Sequence, residues 1–488
     1  MITDDVNIDR RILLEANSLI EQGEEVVLLA REDPYGDFDR FPAFEVVNKL
    51  KIMRIAAVAS LHFIQKNAPV YQQSFVNILN VMSVKNQKKI NDLAYSIDVK
   101  IYVAREKKKN AICFVLQKYK SIQTKIFLLK QFILRALAVG TYKMSRVACR
   151  FGAYLNRNPK LGEYFIQQAK YFKPDVLHVH DLPQLPAGVS VSKDLNIPLI
   201  YDMHEIYPLI ATLTEKEKKT LYRIEKKMIN IPDEIIIVNP NAADYVAKMY
   251  NIDKPTVIQN ATMPPQGFSA HAQHDDRIRK KLKLKKKDKI LLLQGWIHKS
   301  RGGIEELIMS LNDVSKDIHL VLLGYGDLEE ARNQAKEFGV GDRLHTIDAV
   351  PWDELLWWTA SADAGIIPYI PEGTHVELAS PNKLYEFITA GLPIVSNDLP
   401  FIRTVLEEHE FGVLGEFALA EGFGIAITEM FSDSGKNLAR FKRNILKYGY
   451  LYGWEREQEI LFECYRKIGK PVGLSNTGDL LATGKVGS

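Results

Sequence analysis

VLHVHDLPQLPAGVSVSKDLNIPLIYDMHE, residues 176–205, places a strand, a helix and a second strand in one short stretch. VLHVH (176–180) and PLIYDM (198–203) are short apolar runs, and the segment near 184–194 between them has helical spacing. Two such runs joined by a helix form a βαβ unit, which needs a parallel sheet covered on both faces. Working toward the C-terminus, a charged helix over 214–230 leads to the strand EIIIVN (234–239). A helix over 240–250 then leads to PTVIQN (255–260). Residues 262–288 interrupt the alternation. MPPQGF and HAQHDD read as connection, and RIRKKLKLKKKDK reads as the solvated face of a short helix followed by a turn. The alternation then restarts with KILLLQ (289–294), IHLVLLG (318–324), LHTIDA (344–349), AGIIPY (364–369), PIVSN (393–397) and FGVLG (411–415). The predicted fold class is therefore α/β, with two doubly wound, Rossmann-like parallel-sheet domains in tandem, facing each other across a cleft.

Toward the N-terminus, ILLEANSLI (12–20) has helical spacing, Gly23 marks a stop, and EVVLLA (25–30) reads as a buried strand. Residues 50–172 read as mostly helical, with a possible strand at VKIYVA (99–104). The expected organisation is a first domain over 1–262 with a basic helical insertion at about 60–160, and a second domain over 263–450. A last helix follows at about 451–470, and the unpatterned tail 471–488 is expected to be disordered.

Of the 488 residues, 46% are hydrophobic and 25% charged, which suits sizeable globular cores and excludes disordered or fibrous classes. Three cysteines without CxxC spacing argue against a disulfide framework or a structural zinc site, and point to a reducing compartment. No apolar run approaches the roughly 18 residues of a spanning helix, and the polar start MITDDVNIDRR is unlike a signal peptide. A net charge of +4 argues against a dedicated nucleic-acid binder. That total hides an asymmetry. The 56 residues between Glu106 and Glu163 hold 13 Lys and Arg and no acid. Within them IFLLKQFILRALAV (126–139) mixes apolar residues with Lys130 and Arg135, just after Lys125. One reading is a basic amphipathic helix on an anionic membrane surface; another is a helix packed on its own domain with a solvated basic face. A nucleic-acid surface is disfavoured, since no aromatic stacking platform accompanies the charge.

In open α/β sheets ligands sit beyond the carboxyl ends of the strands, so candidate site residues follow the predicted strands. They are His180 and Asp181, His204 and Glu205, the loop GWIHKSRGG (295–303), and SPNKLYEFITAG (380–391). The loop offers Gly295, Lys299 and Arg301 as a phosphate cradle, although a basic turn is the plainer alternative. In the last segment Pro381 starts a helix that places Lys383 and Glu386 one turn apart, the carboxylate suited to ribose hydroxyls. His204 and Glu205 can orient a substrate or form a buried core pair. His178 and His180 share a strand face, a spacing that can bind metal, but no third and fourth ligand is evident nearby, so no metal site is assigned. Asp37 and Asp39 lie in a polar turn without strand context and are set aside.

Taken in order, these segments resemble a known family. Asp9, Arg11 and Ile12 opening the first helix, VLHVHD, YDMHE, IQN, LLLQGW with SRGGIEELI, LVLLGYGDLEE, SPNKLYEFITAGLPIVSNDLP and Trp454-Glu455 together are similar to the family-4 glycosyltransferases of the GT-B fold. The resemblance covers nearly all of 1–60 and 165–468. It implies that the second domain holds a nucleotide sugar, the first receives the acceptor, and the last helix crosses back to the first domain. Glu386 matches the second glutamate of the family's E-x7-E motif, on the donor ribose. Arg301 and Lys299 match the cations on the diphosphate, Asn382 and Lys383 fall in a PNK variant of the motif, and His180 matches a histidine near the donor sugar. The family retains anomeric configuration without a bound metal or other cofactor, and the leaving phosphate helps deprotonate the acceptor. Three differences stand out. Leu378 occupies the place of the first glutamate, with Glu377 one residue away. Trp296 replaces an arginine that often follows the glycine, and the first strand is apparently missing. The expected function is transfer from a nucleotide-sugar donor to a lipid-linked or polysaccharide acceptor, at the cytoplasmic face of an anionic membrane. The alternatives are a nucleotide-sugar epimerase and a catalytically dead scaffold.

Overall fold

A computed structural model describes residues 1–31, 41–55, 163–272, 275–298, 303–370 and 373–469. The basic insertion at about 60–160, with Lys125, Lys130 and Arg135, lies outside the described residues, as do Asp37, Asp39, Lys299, Arg301 and the tail. The chain divides into two compact units. The larger comprises Met1–Leu28, Val46–Ile52 and Lys173–Ser488, and the smaller Leu29–Glu45 and Met53–Phe172. In the smaller unit the described part includes a helix over Glu163–Phe172.

Near the start of the chain, β1 (Val27–Arg31), β2 (Phe44–Val47) and β3 (Leu50–Ile55) form a three-stranded sheet in the order β1-β3-β2. Strand β3 departs from the helical reading of this region. Buried Leu50, Ile52 and Arg54 alternate with less buried Lys51 and Met53, which is a strand period.

The larger unit holds two Rossmann-like lobes. In the first, β4 (Leu177–His180), β5 (Leu199–Met203), β6 (Glu234–Ile237) and β7 (Thr256–Val257) lie parallel in chain order. The place beside β4 expected to be vacant carries Ile2. Its N–H donates to His178 O at 2.9 Å, its carbonyl accepts from His180 N at 2.9 Å, and Met1 N donates to Val27 O at 2.8 Å. Ile2 is completely buried there. The first helix, Arg10–Glu21, begins where Asp9 accepts from Arg11 N at 2.8 Å, a cap worth about 1 kcal/mol.

The second lobe is a six-stranded parallel sheet built of β8 (Lys289–Ile297), β9 (Ile318–Gly326), β10 (Leu344–Asp348), β11 (Ala364–Ile367), β12 (Ile394–Asn397) and β13 (Gly412–Gly415). Its order, β10-β9-β8-β11-β12-β13, reverses direction between β8 and β11. Leu291, Leu293, Leu320, Leu322, Ile366 and Val395 fill its core, each fully buried aliphatic side chain contributing roughly 1.5–3 kcal/mol. The last helix, Trp454–Lys467, packs on the first lobe. Trp454 Nε1 donates to Ser18 Oγ at 2.9 Å, and Glu457 accepts from Gln259 N at 2.7 Å. Among the described residues no helix is long and apolar enough to cross a membrane.

Candidate active site

In a sheet of this order the crevice opens at the carboxyl ends of the two strands flanking the switch point. Here those are β8 and β11, and a cavity of about 440 Å³ lies there. Gln294, Gly295 and Trp296 line it from β8, Tyr325 from β9 and Tyr369 from just beyond β11. The expected loop after residue 294 starts later than the sequence suggests, because β8 runs on to Ile297 in register with Gly326 of β9. Gly324 is required for that pairing: its φ is +152° and a Cβ there would sit 1.9 Å from Gly295 O.

The helix Asn382–Thr389 enters the same cavity. Pro381 precedes its first turn and sets the entry angle, and the cavity is lined by Asn382, Lys383 and Glu386. The Lys383 ammonium lies 4.8 Å from the Tyr369 ring centroid. Glu386 is mostly buried and accepts from two sides: Oε1 from Arg10 Nη1 at 2.8 Å and Oε2 from Gln294 Nε2 at 2.5 Å. The hydroxyl-seeking carboxylate read from the sequence is thus held by one side chain from each lobe.

The first lobe contributes Asp9, Met203, His204 and Glu205 to the lining. Asp181 fixes the turn that carries the last two: its Oδ1 accepts from His204 N at 3.0 Å and Glu205 N at 3.3 Å. Burial pushes the Asp181 carboxyl up to about 7. Beneath His204 lies a sealed charge cluster. Arg11 donates to Asp202 Oδ1 and to Ile258 O, and its Nε lies 3.1 Å from Glu15 Oε1. His204 Nε2 is 3.2 Å from both Asp202 Oδ2 and His180 Nδ1. Burial opposes a charge on Asp202, yet Arg11 and His204 outweigh it and hold the carboxyl well below its usual range. Burial and Asp202 push Glu15 well above its own. Burial and the Arg11 charge act to lower His204, but Asp202 and Asp181 outweigh them and hold it at about 9. Burial drives His180 down to about 4, leaving it neutral.

These positions revise two sequence expectations. His180 does not face the cavity. It is completely buried under His204, because alternate residues of a buried parallel strand point into the sheet's covering layer, so it reaches a ligand only through His204. The absence of further ligands near His178 and His180 was an effect of chain distance. Glu15 and Asp202 bring carboxylate oxygens into the same group, all four donor atoms lying within 4.8 Å of one another. Arg11 donates to Asp202 and its Nε lies 3.1 Å from Glu15 Oε1, so a guanidinium already places a positive charge within this cluster. Breaking so buried a pair costs about 3–5 kcal/mol. Of the expected residues, the cavity brings together His204, Glu205, Gly295, Asn382, Lys383 and Glu386. Sequence reasoning missed Arg10, Glu15, Asp202 and Gln294 as partners. Arg11 and Glu15, a charged i, i+4 pair that turns inward on the helix's apolar side, were the available signal.

The two parallel sheets with a cavity at the switch point define a GT-B protein. Residues 132–262 match the model of glycosyltransferase family 4, and residues 274–448 match that of the group 1 glycosyl transferases. The chain belongs to the family-4-type glycosyltransferases. Among solved structures, sucrose-phosphate synthase from Thermosynechococcus elongatus is similar with a TM-score of 0.59 and 15% identity, covering 96% of this chain and 98% of that one. A glycosyltransferase from Rickettsia africae gives 0.59 at 10% identity, over 96% and 98%. HepE from Anabaena, solved in complex with UDP and glucose, gives 0.51 at 15% identity, over 63% and 81%. At these identities the likeness concerns the fold. No curated protein sequence matches the chain.

Proposed function

We propose that the enzyme transfers a sugar, with retention and without a metal, from a nucleotide-sugar donor to a lipid-linked or glycan acceptor at the inner face of an anionic membrane. One observation carries the reading. Lys383 and Glu386 from the second lobe and His204 and Glu205 from the first line a single cavity at the switch point. In this scheme Glu386 takes the donor ribose hydroxyls and Lys383 faces the diphosphate; the family resemblance adds the charges of Lys299 and Arg301, which lie outside the described residues. As the glycosidic C–O bond breaks, its electron pair goes to the diphosphate oxygen, and these cations stabilise the developing charge. The acceptor hydroxyl forms the new bond and passes its proton to the departing phosphate. His204, protonated near neutral pH, acts as a hydrogen-bond donor and positive charge toward the donor rather than as the base.

A hydrolysis screen over UDP-, GDP- and ADP-sugars finds the donor. HepE's complex with UDP and glucose makes UDP-glucose the first to try. Glu386→Ala is expected to lose at least 100-fold in transfer while its far-UV circular dichroism stays unchanged. Full activity in that variant sinks the assignment.

A further inference from the structure

Two asparagines of the first lobe end adjacent strands and reach over to the second. Asn239 follows β6 and is completely buried. Its Oδ1 accepts from Ala242 N at 2.8 Å, capping the next helix, and its Nδ2 donates to Leu378 O at 2.8 Å. Asn260 follows β7. Its Oδ1 accepts from Arg11 Nη1 at 3.2 Å, and its Nδ2 donates to Ser380 O at 2.8 Å. Each amide is oriented by its partners, since a backbone N–H and a guanidinium only donate and a carbonyl only accepts. Between them in sequence, Gln259 Oε1 accepts from the buried Tyr385 hydroxyl at 3.2 Å, and that hydroxyl is 2.8 Å from Ser380 Oγ. The bonds to Leu378, Ser380 and Tyr385 fall on the segment 378–385, which delivers Lys383 and Glu386 to the cavity.

We infer that Asn239, which lies outside the cavity lining, and Asn260, which borders it, are positioning residues through which the first lobe sets the pose of the donor-binding helix. The inference rests on the donor-site reading above. The segment they hold has little of its own to fix it. The helix is only eight residues long, its Pro381 cap accepts no side-chain hydrogen bond, and Leu378 stands where the resemblance places a glutamate. The two carbonyl ties supply a fixed origin for the helix instead. They also make donor affinity depend on strands whose other ends belong to the acceptor lobe.

Asn→Asp separates this role from folding. An aspartate at 239 still caps the helix and one at 260 still accepts from Arg11, but neither can donate to the carbonyl opposite. Calorimetry with UDP, GDP and ADP on the full chain identifies the nucleotide that binds. N239D and N260D are each expected to bind it about fivefold more weakly, and to raise donor KM by a similar factor, with an unchanged acceptor KM and a native far-UV circular dichroism spectrum. Wild-type affinity and donor KM in both variants, while E386A loses the nucleotide, overturns the inference alone. Unchanged nucleotide binding in E386A, or none by the wild-type chain, overturns the donor-site reading and this inference with it. Should N260D fail to fold, N239D alone decides, because its helix cap is retained.

Discussion

His204 keeps its proton into the alkaline range because carboxylates face both nitrogens of its ring. Nε2 lies 3.2 Å from Asp202 Oδ2, and Nδ1 lies 3.9 Å from Asp9 Oδ1. Arg11 and burial oppose that proton; Asp202 and Asp181 prevail and place the folded value at about 9, against an ordinary 6.5. Between those two values the native state binds more protons than the unfolded state. The stability contributed by His204 is therefore complete below about pH 6.5 and is lost as pH rises toward 9. At its steepest the fall approaches about 1.4 kcal/mol per pH unit. Asp181, raised to about 7 by burial, acts with the same sign at lower pH, since its ionisation in the folded state is resisted. Thermal midpoints measured from pH 6 to 9.5 should decline for the wild type, and the decline above pH 7 should be much flatter in His204→Gln. A parallel decline in both would mean that His204 is not the titrating group. The histidine itself was legible in YDMHE. Its charge state was not, because that is the balance of Asp202 and Asp181 against burial and an Arg11 almost two hundred residues earlier.

At the scale of elements, two helices meet through one ion pair. The first helix presents Arg10, and the helix Asn382–Thr389 presents Glu386, paired at 2.8 Å with side chains 21% and 11% exposed. Where a ribose hydroxyl takes the Oε1 lone pair that Arg10 occupies, Arg10 must release it first. The Asn239 and Asn260 ties are different, because they hold the backbone carbonyls of Leu378 and Ser380 rather than the carboxylate. Arg10→Ala should therefore bind the nucleotide more tightly, by roughly fivefold for a partly exposed ion pair worth about 1 kcal/mol. Calorimetry decides it, and weaker binding would instead make Arg10 a contributor to the donor site. The elements themselves were readable where apolar runs are short and bounded: the helices Arg10–Glu21 and Trp454–Lys467 and the six strands of the second lobe fall close to their sequence positions. The single-residue pairing of Ile2 and the extension of β8 through Gly295 and Trp296 were not, since both are decided by a neighbouring strand rather than by local pattern.

For the whole molecule, the distribution of charge matters more than its sum. The segment between Glu106 and Glu163 carries 13 positive charges and no acid, whereas the rest of the chain is net negative by nine. Near an anionic surface such a chain is drawn in by the segment and held off by the body, so attraction also orients it. Each Lys or Arg close to the surface adds about 1 kcal/mol, and the effect decays over a Debye length of roughly 10 Å at 0.1 M salt. We propose on this ground that the segment places the enzyme at a membrane bearing its acceptor. Sedimentation with vesicles of anionic and neutral lipid should show binding to the anionic vesicles only, fading as salt rises from 0.05 to 0.5 M. Reversing Lys125, Lys130 and Arg135 to glutamate should weaken partitioning by more than about 100-fold, since at least three favourable contributions of that size are removed. Donor hydrolysis in solution by the reversed variant serves as the control for a folded enzyme. Equal partitioning of the wild type and the reversed variant would assign the basic segment to packing or solvation instead.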